Sequence, residues 1–339
     1  MHSLNTLTHH CKPRNLLAVS LLCLGCLGAS SVQAQTFNCS GFSFSNINFG
    51  SFVPLDGAPA TTTGQLTFQC RNNSLLLSGD VTLCFHIGTG LSSASTWSAR
   101  AIDGDVEGAL KFQVYQSGSS VWGSMYSSDA PASTVLHVRN FSTATGSISY
   151  TASILPGQNG LVPQSFSGQF NGNHTEITAA VGVQDCSNVK DVGRSITLSS
   201  NRFPFSVSAV AQPRCDTLVT NNLVFPDVTG FDTATQSDSA LSLRCTNKTP
   251  YRISLQPSNG NTAGQGTLKG SLSGNADTVS YRLYRDANFN SPWGTTAGTN
   301  TLNSTGNATS QSIPIYARTS SANVLPDDYS DRVTVTVTY

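Results

Sequence analysis

The chain has 339 residues, only 11% of them charged, and its 18 basic and 18 acidic side chains cancel. So neutral a balance excludes charge-driven binding to nucleic acid or to an anionic membrane as the organising function. The length suits two domains with cores of their own, and abundant Ser, Thr, Asn and Gly with few helical periodicities point to an all-β fold.

Taken in chain order, the first element has the form of a secretory signal. Lys12 and Arg14 precede the apolar run Leu16 to Leu27, and Ser31-Val32-Gln33-Ala34 offers small residues for cleavage before Gln35. The run is short for a bilayer span. Leu24-Gly25-Cys26 only partly matches an acylation site, because Cys23 stands where an aliphatic residue is usual. Residues 1–34 are therefore read as a signal peptide. Its removal takes away two basic residues, leaving 16 against 18 acidic, a net charge near −2. Six cysteines remain, an even number in an exported chain, and no CxxC pair is among them. Disulfides formed in an oxidising compartment are expected, not zinc or thioredoxin-like chemistry.

The remainder shows the same order of features twice. Cys39, Asn46-Ile47-Asn48-Phe49-Gly50 and Leu66-Thr67-Phe68-Gln69-Cys70 recur as Cys215, Asn222-Leu223-Val224-Phe225-Pro226 and Leu241-Ser242-Leu243-Arg244-Cys245. Phe112-Gln113-Val114-Tyr115 leads to Trp122-Gly123, as Tyr281-Arg282-Leu283-Tyr284 leads to Trp293-Gly294. Ile148 to Ala152 is matched by Ile313 to Ala317, and Phe166-Ser167 by Tyr329-Ser330. Short alternating strands between Gly, Ser, Asn and Pro turns predict a β-sandwich in each half. The boundary is placed in Ala211-Gln212-Pro213-Arg214, giving domains 35–211 and 212–339. By the repeat, Cys39 pairs with Cys70 and Cys215 with Cys245, which leaves Cys84 and Cys186 for each other.

The last element, Asp331 to Tyr339, alternates Val333, Val335, Val337 and Tyr339 with threonines, a strand with one apolar face. Left as a bare edge it would template aggregation, so it calls for a covering strand from an earlier part of this chain or from another protein.

On these paired cysteines, the Tyr-then-Trp-Gly segments and the terminal strand, both halves resemble the spore coat protein U domain, the pilin domain of archaic, Csu-type chaperone-usher pili. The resemblance implies incomplete immunoglobulin-like sandwiches, whose missing last strand comes first from a periplasmic chaperone and then from the N-terminal extension of the next subunit. Val333, Val335, Val337 and Tyr339 would then line the groove that accepts the donor strand. A donor extension needs about ten residues at about 3.3 Å each, whereas only Gln35-Thr36-Phe37-Asn38 precede Cys39. This reading makes the chain an acceptor only, a distal tip subunit, with an outer-membrane usher and an adjacent pilin as further partners. Domain 1 continues through Thr175 to Val181, Cys186 and Phe203 to Val210. The last stretch is read as its own final strand, with Pro204 fitting a strand start or an edge.

For such a tip, the loops after Cys70, after Tyr115 and around Cys186 are expected at the free end. They offer Leu75, Leu76 and Leu77, then Met125, Tyr126, Ala130, Pro131, Ala132, Val135 and Leu136. Exposed together they would form a hydrophobic contact surface for an abiotic or host surface. The alternative is that Leu75 to Leu77 and Val135 to Val138 are buried strands. Trp122 and Trp293 recur at one point of the repeat, which favours shared packing over sugar stacking. Asp103-Gly104-Asp105-Val106-Glu107 has too few ligands for a Ca²⁺ loop and reads as a solvated turn. His86, His137 and His174 are scattered, with no HExxH or G-x-S-x-G motif. The expectation is a non-enzymatic adhesin without metal or cofactor, active in surface attachment and biofilm formation. A glycan-binding tip and a structural coat or minor pilin protein are the alternatives.

Overall fold

The computed structural model describes residues 36–55, 60–116, 119–228, 234–320 and 323–339. The signal reading, with Cys23 and Cys26, falls outside them. As expected, the described chain is all-β, with one short 3₁₀ turn at Gly172–His174.

Residues up to Ala211 form strands β1 (Phe37–Phe44), β2 (Ile47–Phe52), β3 (Thr61–Asn72), β4 (Gly79–Ile87), β5 (Arg100–Gly104), β6 (Ala109–Tyr115), β7 (Ala132–Val138), β8 (Thr143–Ile154), β9 (Ser165–Phe170), β10 (Thr175–Val181), β11 (Ile196–Leu198) and β12 (Phe205–Ala211). A nine-stranded sheet, β11-β1-β3-β8-β6-β5-β9-β12-β2, and a three-stranded sheet, β10-β4-β7, enclose one hydrophobic core. From Cys215 onward come β13 (Cys215–Thr220), β14 (Gln236–Cys245), β15 (Pro250–Pro257), β16 (Gln265–Gly270), β17 (Thr278–Tyr284), β18 (Leu302–Thr305), β19 (Ser310–Thr319), β20 (Tyr329–Ser330) and β21 (Val333–Thr338). Here the sheets are β13-β14-β19-β17-β16-β20 and β18-β15-β21, around a second, smaller core.

The repeat in sequence is a repeat in register. Cys39 pairs with Cys70 across β1 and β3 as Cys215 pairs with Cys245 across β13 and β14, and both pairs are disulfide-bonded. The third disulfide joins Cys84 to Cys186. Trp122 and Trp293 are fully buried, each donating its indole N–H to a carbonyl of the strand below, Phe85 at 2.8 Å and Ile253 at 3.0 Å. A buried indole needs such an acceptor, so these tryptophans are structural anchors and not exposed platforms.

The two large sheets match strand for strand from β1 and β13 through to β9 and β20. Beyond β9 the first sheet continues with β12 and then β2. The second stops at β20 among the described residues. β12 shows why its sequence makes a strand: Phe205, Val207, Ala209 and Ala211 point into the core while Ser206, Ser208 and Val210 are wetter. Pro204 sits just ahead of the ladder, where its missing N–H costs nothing. Among the described residues β12 is the only strand that β2 pairs with. The sequence counterpart of β2, Asn222 to Pro226, has no such neighbour among the described residues and forms no strand.

Candidate functional site

Two surfaces follow from this architecture. The first is the turn between β3 and β4. Asn72 is fully buried beneath it, its side-chain amide donating to the carbonyls of Leu77 at 2.8 Å and Val138 at 3.2 Å while its oxygen accepts from the Ser74 N–H. Leu77 N–H donates to Ser74 Oγ, Asn140 Nδ2 to the Leu75 carbonyl, and Phe141 N–H to the Ser74 carbonyl. The main chain is thereby held, and the three leucine side chains point outward, Leu76 being 80% exposed. Phe141 in the neighbouring turn has a φ of 49° and is 56% exposed, with the Arg71 guanidinium 4.8 Å from the ring centroid. A non-glycine residue at positive φ is uncommon, and here it turns an aromatic ring toward solvent beside the leucines.

The position of this patch follows from register. Asn72 pairs with Phe37 at the start of β1, whereas Gln212 donates to the Phe52 carbonyl at the end of β2, beyond the opposite end of β1. The leucine turn and the connection between the two cores therefore lie at opposite ends of the first core. β3, with twelve residues, is about 36 Å long.

The other expected loop residues do not join this patch. In the β4–β7 ladder Gly79 pairs with Val138 beside the leucine turn, and Phe85 pairs with Ala132 at the far end, where the loop carrying Met125 and Ala130 arrives. Met125 is half-buried, Tyr126 and Ala130 are exposed, and Pro131 is buried. Ala132, Val135 and Leu136 are corrected from loop to strand: they belong to β7, whose alternation buries Ala132 and Val138, half-buries Leu136 and exposes Val135. The Met125 loop is tied down by its N–H donating to His86 Nδ1 at 3.0 Å. The segment around Cys186 is a strap across the outer face of β4, where Thr82, Cys84 and His86 are all buried. The acidic turn is filled by Gln164, whose side-chain oxygen accepts from the N–H groups of Val106 and Glu107. Glu107 itself pairs with Lys248 at 2.6 Å. Among the described residues no three His, Cys, Asp or Glu side chains are grouped to hold a metal.

The second surface is the outer edge of β21. This strand pairs with β15 on one side and, among the described residues, with no strand on the other. Val333, Val335 and Val337 are half-buried against the second core, and Tyr339 is exposed. Leu223 and Phe225, which follow β13, are likewise half-buried. Their counterparts in the first core, Ile47 and Phe49, are covered by the neighbouring β12 and fully enclosed. Apolar side chains from β21 and from Leu223 and Phe225 thus border one open-sided strip. At its start, Tyr281 donates its hydroxyl to Asp331 at 2.7 Å; burial and the nearby carboxylate push the Tyr281 hydroxyl upward in pKa.

A family model described as Spore Coat Protein U domain matches residues 24–189 and 201–336. No curated protein matches the chain. Among solved structures, the CsuC-CsuE chaperone–tip adhesion subunit pre-assembly complex from archaic chaperone-usher Csu pili of Acinetobacter baumannii is 14% identical, with 89% of this chain and 100% of that chain covered and a TM-score of 0.48. The CupB6 tip adhesin from Pseudomonas aeruginosa is 13% identical over 89% of this chain and 93% of that chain, at a TM-score of 0.38. CfaE, the adhesive subunit of CFA/I fimbria of enterotoxigenic Escherichia coli, is 9% identical over 88% and 98%, at 0.27.

Proposed function

Because the chain belongs to the Spore Coat Protein U domain family, we propose that it is a non-enzymatic adhesive subunit of an archaic chaperone-usher pilus, exported through the periplasm and carried at the fibre tip. In this reading residues 35–211 are the adhesive domain and 212–339 a pilin domain that lacks its last strand. The observation that carries it is the difference between the cores: the first includes β12, and the second, among the described residues, leaves β21 with one edge unpaired. A periplasmic chaperone and then the adjacent pilin supply the strand, and an outer-membrane usher passes the subunit outward. Val333, Val335, Val337 and Tyr339 line the accepting groove.

The adhesive surface is the leucine turn at the end of the first core away from the connection. Leu75, Leu76, Leu77 and Phe141 form a held, exposed apolar patch, a feature that marks a contact surface in monomeric proteins. Because the backbone is already fixed by Asn72 and Asn140, little ordering entropy is lost on contact. An apolar abiotic or host surface suits it, and biofilm formation would follow. The test replaces Leu75, Leu76 and Leu77 by serine in assembled pili and measures attachment to polystyrene. Loss of attachment with normal fibre assembly supports the reading; unchanged attachment removes it.

One observation favours a second reading, a glycan-binding tip. An open surface depression of about 530 Å³ is lined by Gly64 and by the uncharged hydroxyl and amide side chains of Ser45, Thr63, Gln65, Ser149, Tyr150 and Thr151. Glycan-array binding that disappears in a Gln65→Ala, Thr151→Ala variant, while attachment to plastic persists, would favour it.

A further inference from the structure

In β12 the first core contains the strand for which the second has no counterpart among its described residues, and the surroundings of the two places compare residue by residue. Phe44 pairs with Leu66 and Thr220 with Leu241, in the same register relative to the short disulfides. Phe85 and Ile253 hold equivalent places because their carbonyls accept the two tryptophan N–H groups. Thr220 therefore stands where the first core has Phe44, and Ile253 where it has Phe85.

Around β12 these places are filled with aromatic bulk. Phe203, just before the strand, lies 5.8 Å from both Phe44 and Phe85, centroid to centroid, and Phe205 stacks on Phe44 at 4.3 Å. The inward residues that follow are smaller: Val207, Ala209 and Ala211. Ala209 pairs with Phe166, whose counterpart in the second core is Tyr329, the two residues facing Gly104 and Gly270. Register is pinned by Asn46, whose side-chain oxygen accepts from the Ser206 N–H at 2.9 Å. Its counterpart Asn222 is exposed.

We propose that the open side of the second core selects its donor strand by side-chain size. The strand runs antiparallel to β21 and carries large, aromatic side chains at its first two inward positions and small ones at the later ones, with Asn222 capturing the N–H that follows the second large residue. This rests on β21 being an acceptor edge. Its physical basis is close packing: Thr220 and Ile253 are smaller than the phenylalanines they replace, so the donor must supply the missing volume there, whereas Tyr329 demands a small neighbour.

The test extends the exported chain beyond Tyr339 by an Asn-Gly hairpin turn and a copy of Ser199–Ala211, which continues the antiparallel register seen between Glu176 and Arg202. Protease half-life of the second core is read with the unextended chain as reference. The extended chain is expected to survive at least about tenfold longer, because closing the apolar edge lowers the population of the open form that protease cuts. Changing both copied phenylalanines to alanine, or Asn222→Ala in the extended chain, should remove most of that gain. If the alanine version protects equally, size selection is wrong while the acceptor edge stands. If neither this copy nor a plain Val-Thr alternating strand protects, or if the unextended second core is already as resistant as the first, the acceptor reading itself fails.

Discussion

Ile177 and Val337 occupy the same place in the two cores, yet only Ile177 is enclosed. Each pairs with the residue whose carbonyl holds a tryptophan indole, Phe85 for Ile177 and Ile253 for Val337. Ile177 is 1% exposed, because its N–H donates to the Asn201 carbonyl on a segment that leads into β12. Among the described residues, Val337 has a neighbouring strand on one side only, β15.

The first prediction follows from that difference. Ile177→Ala deletes enclosed volume and should cost about 2–5 kcal/mol of first-core stability. Val337→Ala should cost less than about 1.5 kcal/mol in the free chain and more once the strand is covered by chaperone. Denaturant unfolding of the free and chaperone-bound chain measures both; equal costs in the free chain would contradict the reading.

Acid should weaken the first core through His86. Its Nε2 lies 2.9 Å from Thr178 Oγ1, whose own hydrogen goes to the Val189 carbonyl, so the imidazole donates there and accepts from Met125 N–H at Nδ1. Burial first, and the positive charge of Lys190 second, hold its pKa down at about 4. The unfolded chain takes up this proton near pH 6.5 and the folded chain only near 4, so the stabilisation is complete above about pH 7 and is lost as pH falls between those values. The interval corresponds to roughly 3 kcal/mol. His86→Gln should flatten the stability–pH slope between pH 6.5 and 4; an unchanged slope would assign the acid sensitivity elsewhere.

Gly64 has no space for a side chain. A Cβ there would meet Ser45 Oγ and the Tyr150 hydroxyl, and Tyr150 is held by its hydrogen bond to the Ser45 carbonyl at 2.8 Å and by stacking on Phe44 at 4.4 Å. Gly64→Ala should cost about 1–3 kcal/mol through displacement of Tyr150, read as a lower melting temperature of the first core. A neutral effect would mean that the Tyr150 ring moves without loss.

The strap over β4 depends on Cys84–Cys186, whose partners are 102 residues apart. Replacing both by alanine should cost about 2–5 kcal/mol and expose the Thr82, His86 and Thr178 face to hydrogen exchange. The leucine turn should keep its structure, since its hydrogen bonds come from Asn72, Ser74 and Asn140. Replacement of Leu75, Leu76 and Leu77 by serine should in turn shift stability by less than about 0.5 kcal/mol, as expected for exposed positions.

Much of the fold was legible because two-residue alternation and the cysteine repeat act locally. β12, β21 and the disulfide partners are examples. The rest was set by neighbours distant in sequence. β2 is a strand and its repeat counterpart, Asn222 to Pro226, is not, because a strand needs an adjacent partner and β2 finds one in β12, some 160 residues later. Val135 and Leu136 looked like loop residues because β7 is a short edge strand with mixed faces. Phe141 escaped notice because a lone aromatic next to Asn140 carries no period; its exposure comes from a positive φ that the sequence does not announce. Leu75 to Leu77 were ambiguous until the buried amide of Asn72 fixed the turn beneath them.

Whether the second core awaits a donated strand is tested by hydrogen exchange at the outward-facing amides of β10 and β21 in the exported chain, free and bound to its periplasmic chaperone. Slow exchange is expected in β10 in both states, and fast exchange in β21 that becomes slow on binding. Slow exchange in β21 of the free chain, matching β10, would contradict the claim that the second core awaits a strand from another protein.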